Sequence, residues 1–289
     1  MKNYQLHLVT IVAAIMLTVS CKKDDSTPDN NAAKNTKDVS YNSADGAQKM
    51  DVYLPAGRTD STTKVLILVH GGAWTSGDKS EFDSAVIALQ AQLPDYAIFN
   101  INYRLATITG SNLWPAQIND MNSAVSFITG KRAEYRINTN KIVLVGASAG
   151  AHLSLLQAYK FNTSGNIKAV VDLFGPTDIV DLYNHPADPT QPTLLGFWMG
   201  GTPTTASANY TAASPIQHVS AQSPPTIIFH GTADNVVPIS QSASLQAALN
   251  TKGVVNEYYT YPGLGHGWTG TSLLDTYNKA ITFIKKTVQ

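Results

Sequence analysis

Residues 141–152 read K-I-V-L-V-G-A-S-A-G-A-H, and at their centre stands Ser148, flanked by small residues. A strand-forming run that opens into G-A-S-A-G fits the G-x-S-x-G elbow, in which a serine is held on a strained turn between a buried strand and a helix. Gly146 and Gly150 leave room for that turn and for the helix to approach the strand closely. An ordinary serine on a small-residue turn would look the same over so short a pattern. The reading of Ser148 as a nucleophile therefore depends on what else the chain supplies.

A serine hydroxyl attacks only when a histidine takes its proton, and the histidine needs a carboxylate to hold its tautomer. Both lie downstream, in the chain order that this elbow requires. Residues 225–234, P-T-I-I-F-H-G-T-A-D, form an apolar strand ending on Asp234, the candidate acid. After one more helix and strand, Y-P-G-L-G-H-G-W places His266 between Gly265 and Gly267, in a loop able to bring its ring over the serine. His266 is the candidate base. Upstream, residues 65–74, V-L-I-L-V-H-G-G-A-W, run from a buried strand into a glycine pair whose N–H groups can approach a developing oxyanion. Gly71, Gly72 and Ala149 are the candidate donors.

Rival residues have duller roles to play. His70 and His230 each end a strand just before a glycine, where a histidine braces loops by hydrogen bonding. His152 stands one helical turn past Ser148 on a helix leading away from it, His185 and His218 lack a glycine loop, and His7 lies in the leader. Asp178, in G-P-T-D, is the rival acid, with helix capping as its alternative role.

Taken together, H-G-G-A-W, G-A-S-A-G-A-H-L, G-T-A-D and G-H-G-W resemble the α/β-hydrolase superfamily over roughly residues 40–289. They are most similar to its hormone-sensitive-lipase-like and bacterial feruloyl or acetyl-xylan esterase branch. The resemblance implies Ser148 as nucleophile, Asp234 as acid, His266 as base, and the Gly72 and Ala149 N–H groups as oxyanion hole. It also implies an acetyl or hydroxycinnamoyl ester as substrate, small or carried on an oligosaccharide of plant origin. Ala73 departs from the pattern, standing where many relatives carry a third glycine.

These residues need a scaffold, and the sequence predicts an α/β one: a mostly parallel central sheet with helices on both faces and a small cap. Residues 65–69, 96–103 and 142–145 are continuous apolar runs, as strands covered on both faces require. Residues 48–54 alternate and predict a half-exposed antiparallel edge strand, forming the opening hairpin with 39–42. Ile118, Met121, Val125 and Ile128 recur at helical spacing, as do Leu274, Tyr277, Ile281 and Ile284, where Ser272 and Asp275 suggest a capping box. Residues 174–224 break the rhythm and read as an irregular cap over the site. Trp198 and Phe197 would line its pocket or anchor the cap to the body; Trp74 and Trp268 would be pocket wall or scaffold.

With 289 residues the catalytic body, 39–289, is one domain. Zero formal charge and the lack of a long basic run argue against nucleic acid as partner. A single cysteine allows no intrachain disulfide, and no Cys/His cluster has zinc-ligand spacing, so neither metal nor cofactor is expected. Residues 1–20 have a basic start at Lys2 and an apolar run from Leu8 to Val19, too short to span a bilayer and suited to a secretory signal. Ser20 before Cys21 resembles a bacterial lipoprotein signal, although Thr18 stands where leucine is usual. Lipidation at Cys21 would then be the membrane attachment, and residues 21–38, too polar to bury anything, a flexible tether. K-D-D after Lys22 is similar to a surface-export signal of Bacteroidetes-type lipoproteins, or is a solvated charge run. The expected location is extracytoplasmic, at the outer membrane. Two other functions compete: a serine exopeptidase of prolyl-oligopeptidase type, and a non-catalytic binding lipoprotein on the same scaffold.

Overall fold

The computed structural model describes residues 31–289. The signal reading, Cys21 and the tether up to residue 30 lie outside the described residues.

In chain order the elements are β1 (Lys34–Ser40), β2 (Lys49–Leu54), β3 (Lys64–Val69), α1 (Asp83–Gln92), β4 (Tyr96–Ile101), α2 (Ala116–Gly130), α3 (Arg132–Tyr135), β5 (Ile142–Ala147) and α4 (Ala149–Lys160). There follow β6 (Ile167–Leu173), α5 (Ile179–Asn184), α6 (Gln191–Met199), α7 (Ser207–Ala213), β7 (Thr226–Gly231), α8 (Ser240–Thr251), β8 (Asn256–Tyr261) and α9 (Gly270–Thr287). The strands form one eight-stranded sheet in the order β1-β2-β4-β3-β5-β6-β7-β8. The β1–β2 and β2–β4 pairs are antiparallel; the rest run parallel. This is the α/β-hydrolase fold.

The continuous apolar runs divide by alternation between two cores. From β3, Val65, Ile67 and Val69 face the cluster that includes Ile118 and Met121 of α2 and Leu153 and Leu156 of α4. Leu66 and Leu68 face the opposite cluster, with Val86 and Leu89 of α1 and Phe283 and Ile284 of α9. Each such side chain contributes about 1.5–3 kcal/mol by leaving water. Between them they fix the register that brings the C-terminal ends of β3, β5, β7 and β8 to one rim.

Several expectations are corrected here. β2 is not an edge strand: it lies between β1 and β4 and is buried on both faces. Its polar position, Asp51, is 1 % exposed because its carboxylate takes Lys37 Nζ at 2.9 Å, Lys79 Nζ at 3.0 Å and the Asp38 N–H at 2.9 Å. An alternating pattern looked half-exposed because a buried ion cluster also uses a polar residue. β1 begins at Lys34, so the end of the stretch read as tether is strand, paired to β2 from Lys34↔Leu54 onward. At α9 the capping box is absent. Thr269 occupies the cap position without a side-chain bond, Asp275 instead accepts from Tyr261 and Lys279, and Leu274 is exposed. The cap is helical rather than irregular, built from α5, α6 and α7, which are too short for their periodicity to stand out.

Burial alone would raise the Asp51 carboxyl, but the two lysines and the Asp38 N–H outweigh it and hold the group below the usual carboxylate range. Its folded value lies below its unfolded one, near about 4. The stabilisation is therefore present at neutral pH and lost as pH falls through the acid range. Asp51→Ala leaves buried Lys79 without its inner partner and is expected to cost roughly 3 kcal/mol in urea unfolding at pH 7. The gap from wild type should narrow as pH falls below about 4.

Candidate active site

Ser148 has φ 53° and ψ −119°, a conformation that costs an L residue on the order of 1–3 kcal/mol. Its surroundings enforce it. The Ser148 N–H donates to Leu173 O at 2.8 Å, and its own carbonyl accepts from the His152 N–H at 3.0 Å, starting α4. A Cβ on Gly146 would lie 2.3 Å from Gly150 O, and one on Gly150 would lie 2.1 Å from Val69 O. Only glycine lets β3, β5 and α4 come this close.

His266 reaches the serine from the loop between β8 and α9. Its Nε2 is 2.8 Å from Ser148 Oγ, and its Nδ1 is 2.7 Å from Asp234 Oδ2. With an ionised carboxylate as acceptor, Nδ1 carries the proton and Nε2 is free to take the one on Ser148. Asp234 Oδ1 accepts the Val236 and Val237 N–H groups at 2.8 and 2.9 Å. Burial by itself would raise this carboxyl. The donors His230, His266 and Val237 hold it well below the usual range.

Two neighbours fix the histidine loop and were not read from the sequence. Gly231 ends β7, and a Cβ there would lie 2.3 Å from Leu264 O, so the His266 loop crosses directly over it while Ala233 N–H donates to that same carbonyl at 2.9 Å. The signal was a glycine just before the acid, in the H-G-T-A-D run. Phe174, at the end of β6, packs edge-on against the His266 ring at 4.7 Å.

The face opposite is built by the loop after β3. Gly72 has φ 101°, and the two non-glycine residues Ala73 and Trp74 also have positive φ, 50° and 61°. Each such residue costs about 1–2 kcal/mol, so this loop must be held. Trp74 is buried, stacks on Trp198 with ring centroids 3.8 Å apart, and donates its indole N–H to His152 Nδ1 at 3.2 Å. His152 Nε2 in turn donates to Ala213 O at 2.7 Å, and burial pushes its pKa down to about 4, so the ring is neutral. His70 Nδ1 and the Tyr103 hydroxyl both bond Gly71 O, at 2.8 and 3.0 Å. Among the described residues the N–H groups of Gly71, Gly72 and Ala73 find no acceptor. Ala149, first in α4, has an N–H without an intrahelical partner.

Trp198 is corrected as a pocket wall: at 1 % exposure it anchors the cap to the body through Trp74 and bonds Gln117 Oε1 at 3.0 Å. Trp268 packs against Phe174 and Tyr261 behind His266 and donates to the Thr276 hydroxyl at 2.8 Å, a scaffold position. Trp74 borders a cavity beside Ser148. Asp178 caps α5 through the Val180 and Asp181 N–H groups and does not meet His266. His230 braces the acid loop, with Ser242 Oγ 2.7 Å from Nδ1, while Nε2 faces Val237 O at 2.9 Å and Asp234 Oδ2 at 3.2 Å. Among the described residues no group of three or more His, Cys, Asp or Glu could hold a metal ion.

Residues 50–249 match the BD-FAE family, and the chain belongs to it. A curated relative is the probable carboxylic ester hydrolase LipM of Mycobacterium tuberculosis, 31% identical over 217 residues, which are 71% of this chain and 49% of LipM. Another is the isoprenylcysteine alpha-carbonyl methylesterase ICME of Arabidopsis thaliana, 27% identical, with 75% of this chain and 53% of that protein covered. The chain spans about half of the length of these relatives. Among solved structures, a truncated carbohydrate esterase from gut microbiota superposes with a TM-score of 0.73 at 26% identity, covering 90% of this chain and 98% of that one. A bifunctional GH43-CE protein of Bacteroides eggerthii gives 0.76 at 27% identity, covering 88% and 38%.

The bracing of the loop after β3 is testable by stability. Trp74→Phe keeps an aromatic ring against Trp198 but leaves His152 Nδ1 buried without a donor, and is expected to cost about 1–3 kcal/mol. Urea unfolding at pH 7 measures it, and a variant as stable as wild type would show that this bond holds nothing.

Proposed function

We propose that the protein is a serine carboxylic-ester hydrolase. The observation that carries this reading is the hydrogen-bonded line from Ser148 Oγ through His266 to Asp234 Oδ2 on a strained elbow. In the proposed cycle His266 takes the Ser148 proton as Oγ attacks the ester carbonyl. The Gly72 and Ala149 N–H groups, with Gly71 beside them, stabilise the oxyanion. His266 then protonates the leaving alcohol, and water removes the acyl group from Ser148 by the same steps. The esterase names among its relatives support this reading over an exopeptidase, and the hydrogen-bonded line supports it over a retired binding scaffold.

The acyl group is proposed to be small. The leaving alcohol must face His266, so the acyl group points to the other side of Ser148. There lies a cavity of about 40 Å³, bordered by Trp74, Ala149, Leu182, Leu194, Leu195 and Val237 but not by His266. For comparison, an apolar cavity that takes up benzene measures about 150 Å³. The space suits an acetyl methyl and favours the short-chain reading over the hydroxycinnamoyl one, with a carbohydrate as alcohol by analogy with the carbohydrate esterase. For location, we propose a lipid-anchored extracytoplasmic enzyme, with Cys21 as the lipidated residue. Mass spectrometry of the mature N-terminus would contradict this if the chain began unmodified at or beyond residue 22.

Ser148→Ala should reduce p-nitrophenyl acetate hydrolysis to background with unchanged melting temperature. Asp234→Asn should lower kcat by about 10⁴, since His266 loses the partner that fixes its tautomer, whereas Asp178→Asn should leave kcat within a small factor. Among p-nitrophenyl esters, acetate should exceed butyrate in kcat/KM by about tenfold or more, and feruloyl should be poorer still. A feruloyl ester turned over as fast as the acetate would reject the small acyl group while leaving the serine mechanism standing.

A further inference from the structure

The connections that enter the parallel strands lie at the end of the sheet opposite Ser148, and they collect cations. Lys64 and Lys141 stand at the entries of β3 and β5, Lys168 is near the start of β6, and Lys34 opens β1 beside the end of β2. The helices that run back along the sheet deliver more: Lys131, Arg132 and Arg136 between α2 and β5, Lys252 at the end of α8, and Lys285 and Lys286 in the last turn of α9. The carboxylates at this end are Asp60, Asp95, Glu134 and Glu257, already paired with Arg132, Lys64, Lys131 and Lys286 in turn. Lys34, Arg136, Lys141, Lys168, Lys252 and Lys285 have no carboxylate partner among the described residues. All of these are exposed except Lys141, which is half-buried.

The whole chain has formal net charge zero, and residues 1–30 balance Lys2, Lys22 and Lys23 against Asp24, Asp25 and Asp29. The positive excess at this end is therefore matched by a negative excess elsewhere in the described residues. Much of that lies around the active-site rim and on the cap, with Asp78 and Glu81 after β3 and Asp178, Asp181 and Asp188 at and beyond the start of α5. A neutral total conceals two ends of opposite sign. Helix dipoles explain part of the pattern, since a cation in a last helical turn is stabilising. They do not explain Lys34, Lys141 and Lys168, which stand on strands or strand entries.

The layout of the cations selects the partner. They reach across a sheet eight strands wide, about 34 Å at the usual strand spacing. They also extend to both sides of it, because α2 and α8 pack on one face and α9 on the other. Charge spread in two directions suits a plane of anions better than a single anionic chain lying in a groove. The chain also leaves the body here: Lys34 pairs with Leu54, and Asn31 O accepts the Gly57 N–H at 2.8 Å. The stretch from Cys21 to Asn31 spans at most about 35 Å. We propose that this end is a docking face for an anionic phospholipid membrane, on which the molecule stands with its active-site rim outward. Ser148 is then held above the lipid by the length of β5, about 20 Å, and the negative rim and cap are repelled from the surface. The inference does not rest on Cys21 being lipidated, since the face binds by charge alone.

The test is co-sedimentation of the protein from residue 22 onward, which keeps the whole sheet and both cores but carries no acyl chain. The vesicles are phosphatidylcholine with and without phosphatidylglycerol. Binding should require phosphatidylglycerol and be released at about 1 M NaCl, where screening leaves a reach of about 3 Å. On the vesicles, acetylation of Lys168 and Lys252 should slow while that of Lys37 and Lys279 does not. Each cation near an anionic bilayer strengthens binding about fivefold. The triple variant Lys141→Gln, Lys168→Gln, Lys285→Gln should therefore bind about a hundredfold more weakly, with p-nitrophenyl acetate hydrolysis unchanged. The proposal is overturned if the protein binds neither vesicle at low salt or binds both equally, if protection falls on Lys37 and Lys279, or if the folded triple variant binds as wild type does. Tighter binding to oligogalacturonate than to the vesicles would assign the face to an acidic polysaccharide and overturn it equally.

Discussion

Everything at the rim of this sheet depends on how closely α4 approaches β3 and β5. Gly146 and Gly150 have no room for a Cβ, because the carbonyls of Gly150 and Val69 lie where it would be. That contact forces the chain from strand to helix within one residue, and the residue in the turn is Ser148, at φ 53°. A serine held so cannot turn its hydroxyl back into the helix as a cap. Its Oγ is presented outward, with the open N-terminus of α4 beside it. The strain is small against the burial of two cores, so the fold can sustain it.

The other parts are positioned by the same economy of space. The acid strand β7 ends in Gly231, over which the His266 loop passes in backbone contact. Asp234 and His266 are therefore brought together by a close crossing, and their 2.7 Å bond needs no long flexible reach. On the opposite side two positive-φ residues, Ala73 and Trp74, are kept in place by stacking on Trp198 and by neutral His152. His152 also bonds Ala213 of the cap. The cap thus braces the loop after β3 as well as bordering the cavity beside Ser148.

Much of this was legible in the sequence because it rests on short local patterns. The elbow, the acid at a strand end and the histidine between glycines each declare themselves within a few residues, and the structure brings all three together. The parallel strands were legible as unbroken apolar runs. What misled was long-range. Asp51 made β2 look half-exposed, since a residue paired with Lys37 and Lys79 reads the same as one facing water. Trp198 carries no mark in the sequence of the stacking that buries it against Trp74. Gly231 was visible as a glycine, but nothing local says that another loop crosses it. His152 reads as a side chain leading away from the serine, and only the folded chain shows it tying Trp74 to the cap.

The central claim is that the fold activates one hydroxyl among all the serines of the chain. Intact-protein mass spectrometry after treatment with a fluorophosphonate measures this directly, because the reagent bonds covalently to a serine that a neighbouring histidine has made nucleophilic. The account predicts a single adduct, mapped by peptide sequencing to Ser148 and absent from the His266→Ala protein. No adduct on the folded wild-type protein, or an adduct on a different serine, would contradict it.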